Sequence, residues 1–545
     1  VPDVTGPTSG GEALVAALVA HGVDTVFGIP GTHNLEIYRH LLAHGVRHVG
    51  TRHEQGAGYA ADGYARTTGR VGVALVTTGP ALLNAVAAIG QAYSDSVPVL
   101  VVSPGLPLRH PAAGNGLLHE TKDQQGAMRA VAAASLRPTS VEDIPVAVAQ
   151  AFAIMTHGRP RPVHLEVPLD VLLETTDGPA TGPAGACHRL APTAPAGVVT
   201  EAAAWLDDAA FPVILAGGGA NRAAAELRAV AERLGAPVVT TTNGKGVLPE
   251  DHPLALGAGI HLPVVRDLVT EADVVLAVGT ELAPADLWNG PLPLAGRLVR
   301  IDIDPVAMVT NALPDLGLVG DSARVLADLL VALGGEPARR DPIDLLGWRE
   351  RKRADAEREG ATWLPLVRAL SAALPRDVVL GTDNAMFCYY GMLANLPVHE
   401  PSSYLFPTGY GTLGYGLPAA IGAKVGNPDR PVVAVLGDGG LMFTVAELAT
   451  AAELGLTLPV VVVDNRGYGE IRHEMTGRGD PVHAVTFEAP DFAALGRSLG
   501  CLGTTVDDPV DLTAAVRVGL LADRPTVIHV RHHERAAPAG GGEHA

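Results

Sequence analysis

The chain runs to 545 residues, room for about three or four domains with cores of their own. Apolar residues at 47% against 18% charged exclude a disordered chain, and a net charge of −19 counts against nucleic acid as the main partner. Cys187, Cys388 and Cys501 are too few and too scattered for a disulfide framework or a thiolate metal cage.

In the first third, Leu14, Val15, Leu18 and Val19 share one helical face between Gly11 and His21. Val26–Ile29, Val71–Thr78, Val97–Ser103 and Val163–Val167 read as short buried strands between helices, the grammar of a parallel sheet covered on both faces. The longest uncharged stretch, Val71 to Ser94, contains Gly79-Pro80, Asn84 and Gln91, so it reads as strand, turn and helix and not as a membrane span. No signal-peptide pattern opens the sequence, and the expected setting is soluble, reduced and cytoplasmic. Glu174–Gly185, rich in Thr, Gly, Pro and Ala, reads as a linker.

The middle third repeats the pattern with strands at Val213–Ala216, Val238-Val239, Val274–Val278 and Val299–Ile303. Gly217-Gly218-Gly219 lacks the spacing of a dinucleotide fingerprint, which leaves a structural turn and a nucleotide site both open. A charged helix, Trp348 to Gly360, leads to the last third, with strands at Val378–Leu380, Val432–Leu436, Val460–Val463 and Val527–Val530. The expectation is three consecutive doubly wound α/β domains, 1–172, 190–335 and 360–533, followed by a disordered tail, 534–545. Identity between the first and last thirds is too weak to claim a duplication.

The strongest chemical signal is Gly437-Asp438-Gly439-Gly440, after a strand and before a helical pattern, Leu441 to Leu454. Such a turn presents backbone N–H groups to a phosphate, and Asp438 would repel that phosphate unless a divalent cation lay between them. Mg²⁺ takes six oxygens, so a second ligand should come from the neighbouring strand, which delivers Asp464-Asn465-Arg466-Gly467. Asp438 and Asn465 are 27 positions apart, one helix plus one strand.

That order and spacing resemble the cofactor motif of thiamine-diphosphate-dependent enzymes. The resemblance implies a pyrimidine-binding, a central and a diphosphate-binding domain, with Mg²⁺ held by Asp438, Asn465 and the Gly467 carbonyl. It departs at Asp464, where many relatives carry Asn. His53-Glu54-Gln55-Gly56-Ala57 resembles the segment whose glutamate protonates the cofactor's pyrimidine, which points to Glu54. Gly409 to Gly416 resembles the loop that keeps the cofactor bent, with Gly411 accepting from the pyrimidine amine and Leu413 wedged between the rings. Thr78, Asn84, Asn384, Gly437, Gly439 and Gly440 complete the cofactor contacts that the resemblance implies. It also implies a homodimer or homotetramer whose active sites draw on two subunits.

Within this family the layout resembles the acetohydroxyacid synthase and 2-oxoacid decarboxylase group, through Gly28–Gly31, Thr78–Pro80 and Ile301–Pro305. Leu118-His119-Glu120, Ala81 and Gly279–Pro284 depart from the synthases and count against FAD. Leu118–Thr121 together with Gly467–Ile471 and Pro291–Arg300 looks more like the 5-guanidino-2-oxopentanoate decarboxylases. Glu470 stands where the synthases carry an apolar, substrate-facing residue. It either meets a cationic substrate tail or is a solvated residue or a partner of Arg472. His33 and His119 are the candidate proton donors among 20 histidines, while Cys388 reads as packing. The expected reaction is decarboxylation of a 2-oxo acid, with a guanidino or amino tail where Glu470 meets it, to an aldehyde and carbon dioxide. An acetolactate-type carboligase and a non-catalytic relative are the alternatives.

Overall fold

A computed structural model describes residues 7–111, 114–177, 191–335 and 342–532. Within them lie three six-stranded sheets, every strand pairing of which is parallel. The first sheet runs, edge to edge, Arg47–Gly50, Thr25–Gly28, Gly72–Leu75, Val99–Gly105, Val163–Pro168, Ala134–Leu136. The last runs Tyr404–Leu405, Val379–Thr382, Val432–Gly437, Pro459–Asp464, Thr526–Arg531, Leu502–Val506. Numbered within each domain, both have the order 2-1-3-4-6-5. The topology is therefore shared where the sequence identity is too low to reveal it.

The central sheet differs: Ala255–Ala258, Val238–Thr240, Pro212–Ala216, Val274–Val278, Arg297–Asp302, Leu316–Val319, an order of 3-2-1-4-5-6. That order belongs to dinucleotide-binding folds and puts Gly217–Gly219 at the point where the strand order reverses. Two of their N–H groups are already engaged, however: Gly217 donates to the Val278 carbonyl and Gly219 to that of Gly279. A Cβ on Gly217 would lie 2.3 Å from the Gly279 oxygen, so close loop packing accounts for this glycine.

Two expectations need correction. The helix read from Leu441 to Leu454 is two, Asp438–Met442 and Glu447–Glu453, separated by a tight turn. The start of the Glu174–Gly185 linker is ordered, because Thr175–Thr176 pairs antiparallel with Thr8–Ser9. Residues 178–190 and the tail lie outside the described residues. Among the described residues no helix is long and apolar enough to cross a membrane.

The end domains meet along the helices Glu54–Thr68 and Gly416–Gly426, whose backbones nearly touch. A Cβ on Gly63 would lie 2.1 Å from the Ala419 oxygen, and one on Gly422 1.9 Å from that of Ala60. Beside this seam the buried Arg66 donates to Asp62 at 2.7 Å, to Asp95 at 2.8 Å and to Asn243 of the central domain at 3.0 Å. Tyr415 of the last domain donates to the same Asp62 at 2.5 Å, so one guanidinium ties three domains. Arg66→Met leaves two buried carboxylates without their cation. It should cost about 3–5 kcal/mol of stability, read as a lower midpoint in urea unfolding.

Candidate active site

The predicted site residues lie at the C-terminal ends of the first four strands of the end-domain sheets or in the loops and helices that follow them, where open α/β sheets bind ligands. In the first domain, Glu54 begins its helix, with His53 as the cap that accepts from Gln55 N–H. Asn84, on the helix Pro80–Ser94, donates to Glu54 Oε2 at 2.9 Å. Thr78 joins the two candidate histidines: its Oγ1 lies 2.6 Å from His33 Nδ1 and 3.1 Å from His119 Nδ1. The rings stand edge to face at 5.2 Å. Burial and the charge of His119 hold His33 below the usual histidine range, which favours its neutral, proton-accepting form. His119 sits at φ +63°, a strained conformation for a residue with a Cβ. Glu120 shapes that loop by accepting from Asn115 and Gly116 N–H at 3.1 and 2.9 Å.

In the last domain three oxygens converge. Asn465 Oδ1 lies 3.0 Å from the Gly467 carbonyl oxygen and 3.2 Å from Asp438 Oδ1. Turning the amide over would convert both approaches into donated hydrogen bonds, but as placed the three acceptors have no proton between them. A hard cation is what such a set suits, and this is the trio expected for Mg²⁺. Among the described residues no three His, Cys, Asp or Glu side chains gather as a metal cage, so soft or nitrogen-ligated metals find no such site there. Asp438 is buried and accepts from Gly467 N–H at 2.8 Å; burial, opposed by that hydrogen bond and aided by the charge of Asp464, pushes it up to about 6.

Asp464, the departure from the family pattern, lies beside Asp438 but is held mainly by other partners. It accepts from Arg466 N–H at 2.9 Å and lies 3.0 Å from His529. Its burial is outweighed by these two partners, which keep it below the usual carboxylate range. The helix after Gly437 has only five residues, so the dipole part of the phosphate argument weakens. The backbone N–H groups of this first turn remain the stronger part.

Asn384 spends both amide hydrogens on the Pro407 and Thr412 carbonyls, at 3.1 and 3.0 Å, and so shapes the loop that carries Gly411 and Leu413. Gly411 has φ +68° and nothing within 4 Å of a Cβ position, so the turn itself calls for glycine. Asp383 was missed in the sequence. Fully buried, it accepts from Asn384 and Gly414 N–H at 2.9 and 2.8 Å and pins the same loop, and burial raises it to about 7.

Glu470 is neither free nor paired with Arg472. Tyr389 donates to its Oε2 and Tyr390 to its Oε1, each at 2.9 Å. Burial and the Glu470 charge raise both hydroxyls well above the usual tyrosine range, so they stay protonated. A second sign was legible in principle: adjacent tyrosines in a chain that is 4% aromatic. Cys388, next to them, is buried as expected, donates to the Val435 carbonyl, and is raised to about 12 by burial. Among the described contacts none joins the Glu54–Asn84 pair to the Asp438–Asn465–Gly467 trio.

A cavity of about 780 Å³ opens where the three domains meet, between Arg159, Gly217–Gly219, Glu281 and Asp302. None of the predicted cofactor residues lines it. Arg159 is already held by Glu281 at 2.5 Å. The wall mixes both signs of charge, with Arg66, Arg70 and Arg159 beside Asp95, Glu281 and Asp302, and the Gly217 and Gly219 N–H groups are already engaged.

Comparison with known proteins agrees with this geometry. Residues 8–127, 199–329 and 387–530 match, respectively, the N-terminal TPP binding domain, the central domain and the C-terminal TPP binding domain of the thiamine pyrophosphate enzymes. The "Probable 2-ketoarginine decarboxylase AruI" of Pseudomonas aeruginosa is 44% identical over 531 residues, 96% of this chain and 94% of that one. The "Probable acetolactate synthase large subunit" of Methanocaldococcus jannaschii is 33% identical over 96% of this chain and 91% of its own. The "Acetolactate synthase isozyme 3 large subunit" of Escherichia coli is 33% identical over 94% and 92%. Three family models in the expected order, and relatives that match from end to end, lead to one conclusion: this chain belongs to the thiamine pyrophosphate enzyme family.

Proposed function

We infer that the protein is a thiamine-diphosphate- and Mg²⁺-dependent decarboxylase of a 2-oxo acid with a cationic, guanidino-type tail. The observation that carries the cofactor assignment is the convergence of Asp438, Asn465 and Gly467 oxygens. For the substrate, the similarity to a 2-ketoarginine decarboxylase and the carboxylate of Glu470 support the same reading. Bound thiamine diphosphate would supply the nucleophilic carbon and hold the electron pair left when carbon dioxide departs.

The chain's own residues do the rest. Asp438, Asn465 and Gly467 would hold the divalent cation. Glu54, steadied by Asn84, is the carboxyl that would give and take a proton at the cofactor's pyrimidine. His33 and His119, coupled through Thr78, form a short relay that can deliver a proton to the product carbon. Carboligation is the second reading, supported by the acetolactate synthase relatives. A non-catalytic role fits poorly with a complete set of Glu54, Asp438 and Asn465. The deciding experiment incubates the protein with Mg²⁺, thiamine diphosphate and a panel of 2-oxo acids, measuring carbon dioxide and identifying the organic product. An aldehyde from the guanidino acid is expected; an acetolactate-type product would establish the carboligase instead.

The working unit is a homodimer or a pair of dimers. Leu83 beside Asn84, and Met442 and Phe443 just after Gly440, are exposed apolar residues next to the two halves of the site. A second copy that covers them would bring Glu54 of one protomer to Asp438 of the other. Light scattering with activity across a dilution series should show activity lost as the dimer dissociates, and a fully active monomer would contradict the shared site. The free buried thiols of Cys388 and Cys501 fit a reducing cytoplasm.

A further inference from the structure

Tyr389 and Tyr390 lie on a π-helical stretch, Phe387–Met392. A widened turn reduces the angular step between neighbours, so consecutive side chains can reach one partner, and such turns recur at functional sites. Each hydroxyl takes one lone pair on a different oxygen of Glu470. A carboxylate offers about four acceptor sites, so one remains on each oxygen, side by side. Among the described residues no arginine or lysine forms an ion pair with Glu470. Two adjacent free acceptors on an unneutralised carboxylate match the parallel N–H groups of a guanidinium better than a single ammonium.

The aromatic wall continues into the central domain. Trp288 stands edge to face with Tyr389 at 6.2 Å and with Tyr390 at 5.9 Å. One face of its indole is stacked on His261 at 3.8 Å, and its Nε1 donates to the Ala285 carbonyl. Yet it remains 40% exposed and sits at φ +44°, a strained backbone for so large a residue. Packing alone does not call for an exposed, strained indole against two tyrosines. A planar cation held at its open side does.

Resting on the reading that this site decarboxylates a 2-oxo acid, we propose that Tyr389, Tyr390 and Trp288 are its specificity residues. The two tyrosines position Glu470 for bidentate contact with a guanidinium, and the central domain's Trp288 closes the tail pocket. The pocket therefore selects guanidino over amino tails, not merely cationic over neutral ones.

The test compares 5-guanidino-2-oxopentanoate with 6-amino-2-oxohexanoate in the holoenzyme, for wild type, Tyr389→Phe, Tyr390→Phe and Trp288→Leu. In each tyrosine variant the ratio of the two kcat/KM values should fall about ten-fold, mostly through KM for the guanidino acid. In Trp288→Leu that KM should rise roughly five-fold. The half-buried Tyr390 keeps the test available if Tyr389→Phe does not fold. Calorimetry with the unreactive 5-guanidinopentanoate and 6-aminohexanoate reads the tail pocket without the chemistry. Guanidino preference in binding with no carbon dioxide from any 2-oxo acid would overturn the proposed reaction and leave the pocket standing. Turnover of both acids with a ratio unmoved by the tyrosine variants would overturn the pocket and leave the reaction standing.

Discussion

Asp438→Ala should give a folded protein that no longer retains thiamine diphosphate. Asp438 is the carboxylate of the three-oxygen set, the other two members being a neutral amide and a backbone carbonyl. Removing it leaves a divalent cation with no protein charge and one ligand fewer. Loss of outer-shell partners alone costs metal sites roughly 10–100-fold, so loss of a direct ligand should cost at least roughly 100-fold in cofactor affinity. The fold should survive, because Asp438 lies at a strand end and its hydrogen bonds are to the neighbouring Gly467, Gly439 and Asp464. Thiamine content after gel filtration, with circular dichroism as the control, measures it. Chelation of wild type should reproduce the loss, and Mg²⁺ should reverse it. Unchanged retention in the variant would move the metal elsewhere.

Glu54→Gln should separate binding from activation. The amide can keep its place at the start of the helix and its contact with Asn84, yet it cannot hand over a proton. Cofactor retention should therefore hold. Exchange of the thiazolium proton, followed by quenched-flow NMR, should slow by about 10²–10⁴-fold, the usual worth of a positioned acid–base group. Wild-type exchange in the variant would assign the activation to another residue.

What the sequence discloses, and what it withholds, follows from the range of the interactions. Buried parallel strands are continuous apolar runs, so Val99–Gly105 and Val432–Gly437 are legible from a handful of adjacent residues. The Asp438–Asn465–Gly467 trio is legible because its members sit at the ends of adjacent strands, fewer than thirty positions apart in the chain. The break at Phe443–Ala446 is not, since apolar and small residues continue through it and no proline or glycine marks it. The tyrosine pair on Glu470 spans about eighty positions, and Trp288 comes from another domain altogether. Arg66 could be read as part of a family motif, but not as a tie among three domains.

The shared strand order of the end domains has a consequence for how the labour is divided. The loops after strands one to four of the first domain carry His33, Glu54, Thr78 and His119; the corresponding loops of the last carry Asn384, Leu413, Asp438 and Asn465. Position for position, the first module carries mostly groups that can exchange protons, and the last carries the carboxylate and amides that would hold a cation or shape the cofactor loop. The helices that follow strand two in each module, Glu54–Thr68 and Gly416–Gly426, are the pair that meets at the seam, as twin protomers meet across a two-fold axis. The two end domains thus share one strand order and carry different side chains on corresponding loops. A residue swapped between corresponding loops should therefore be tolerated by the backbone while destroying the chemistry, because the scaffold is common and the assignment is not.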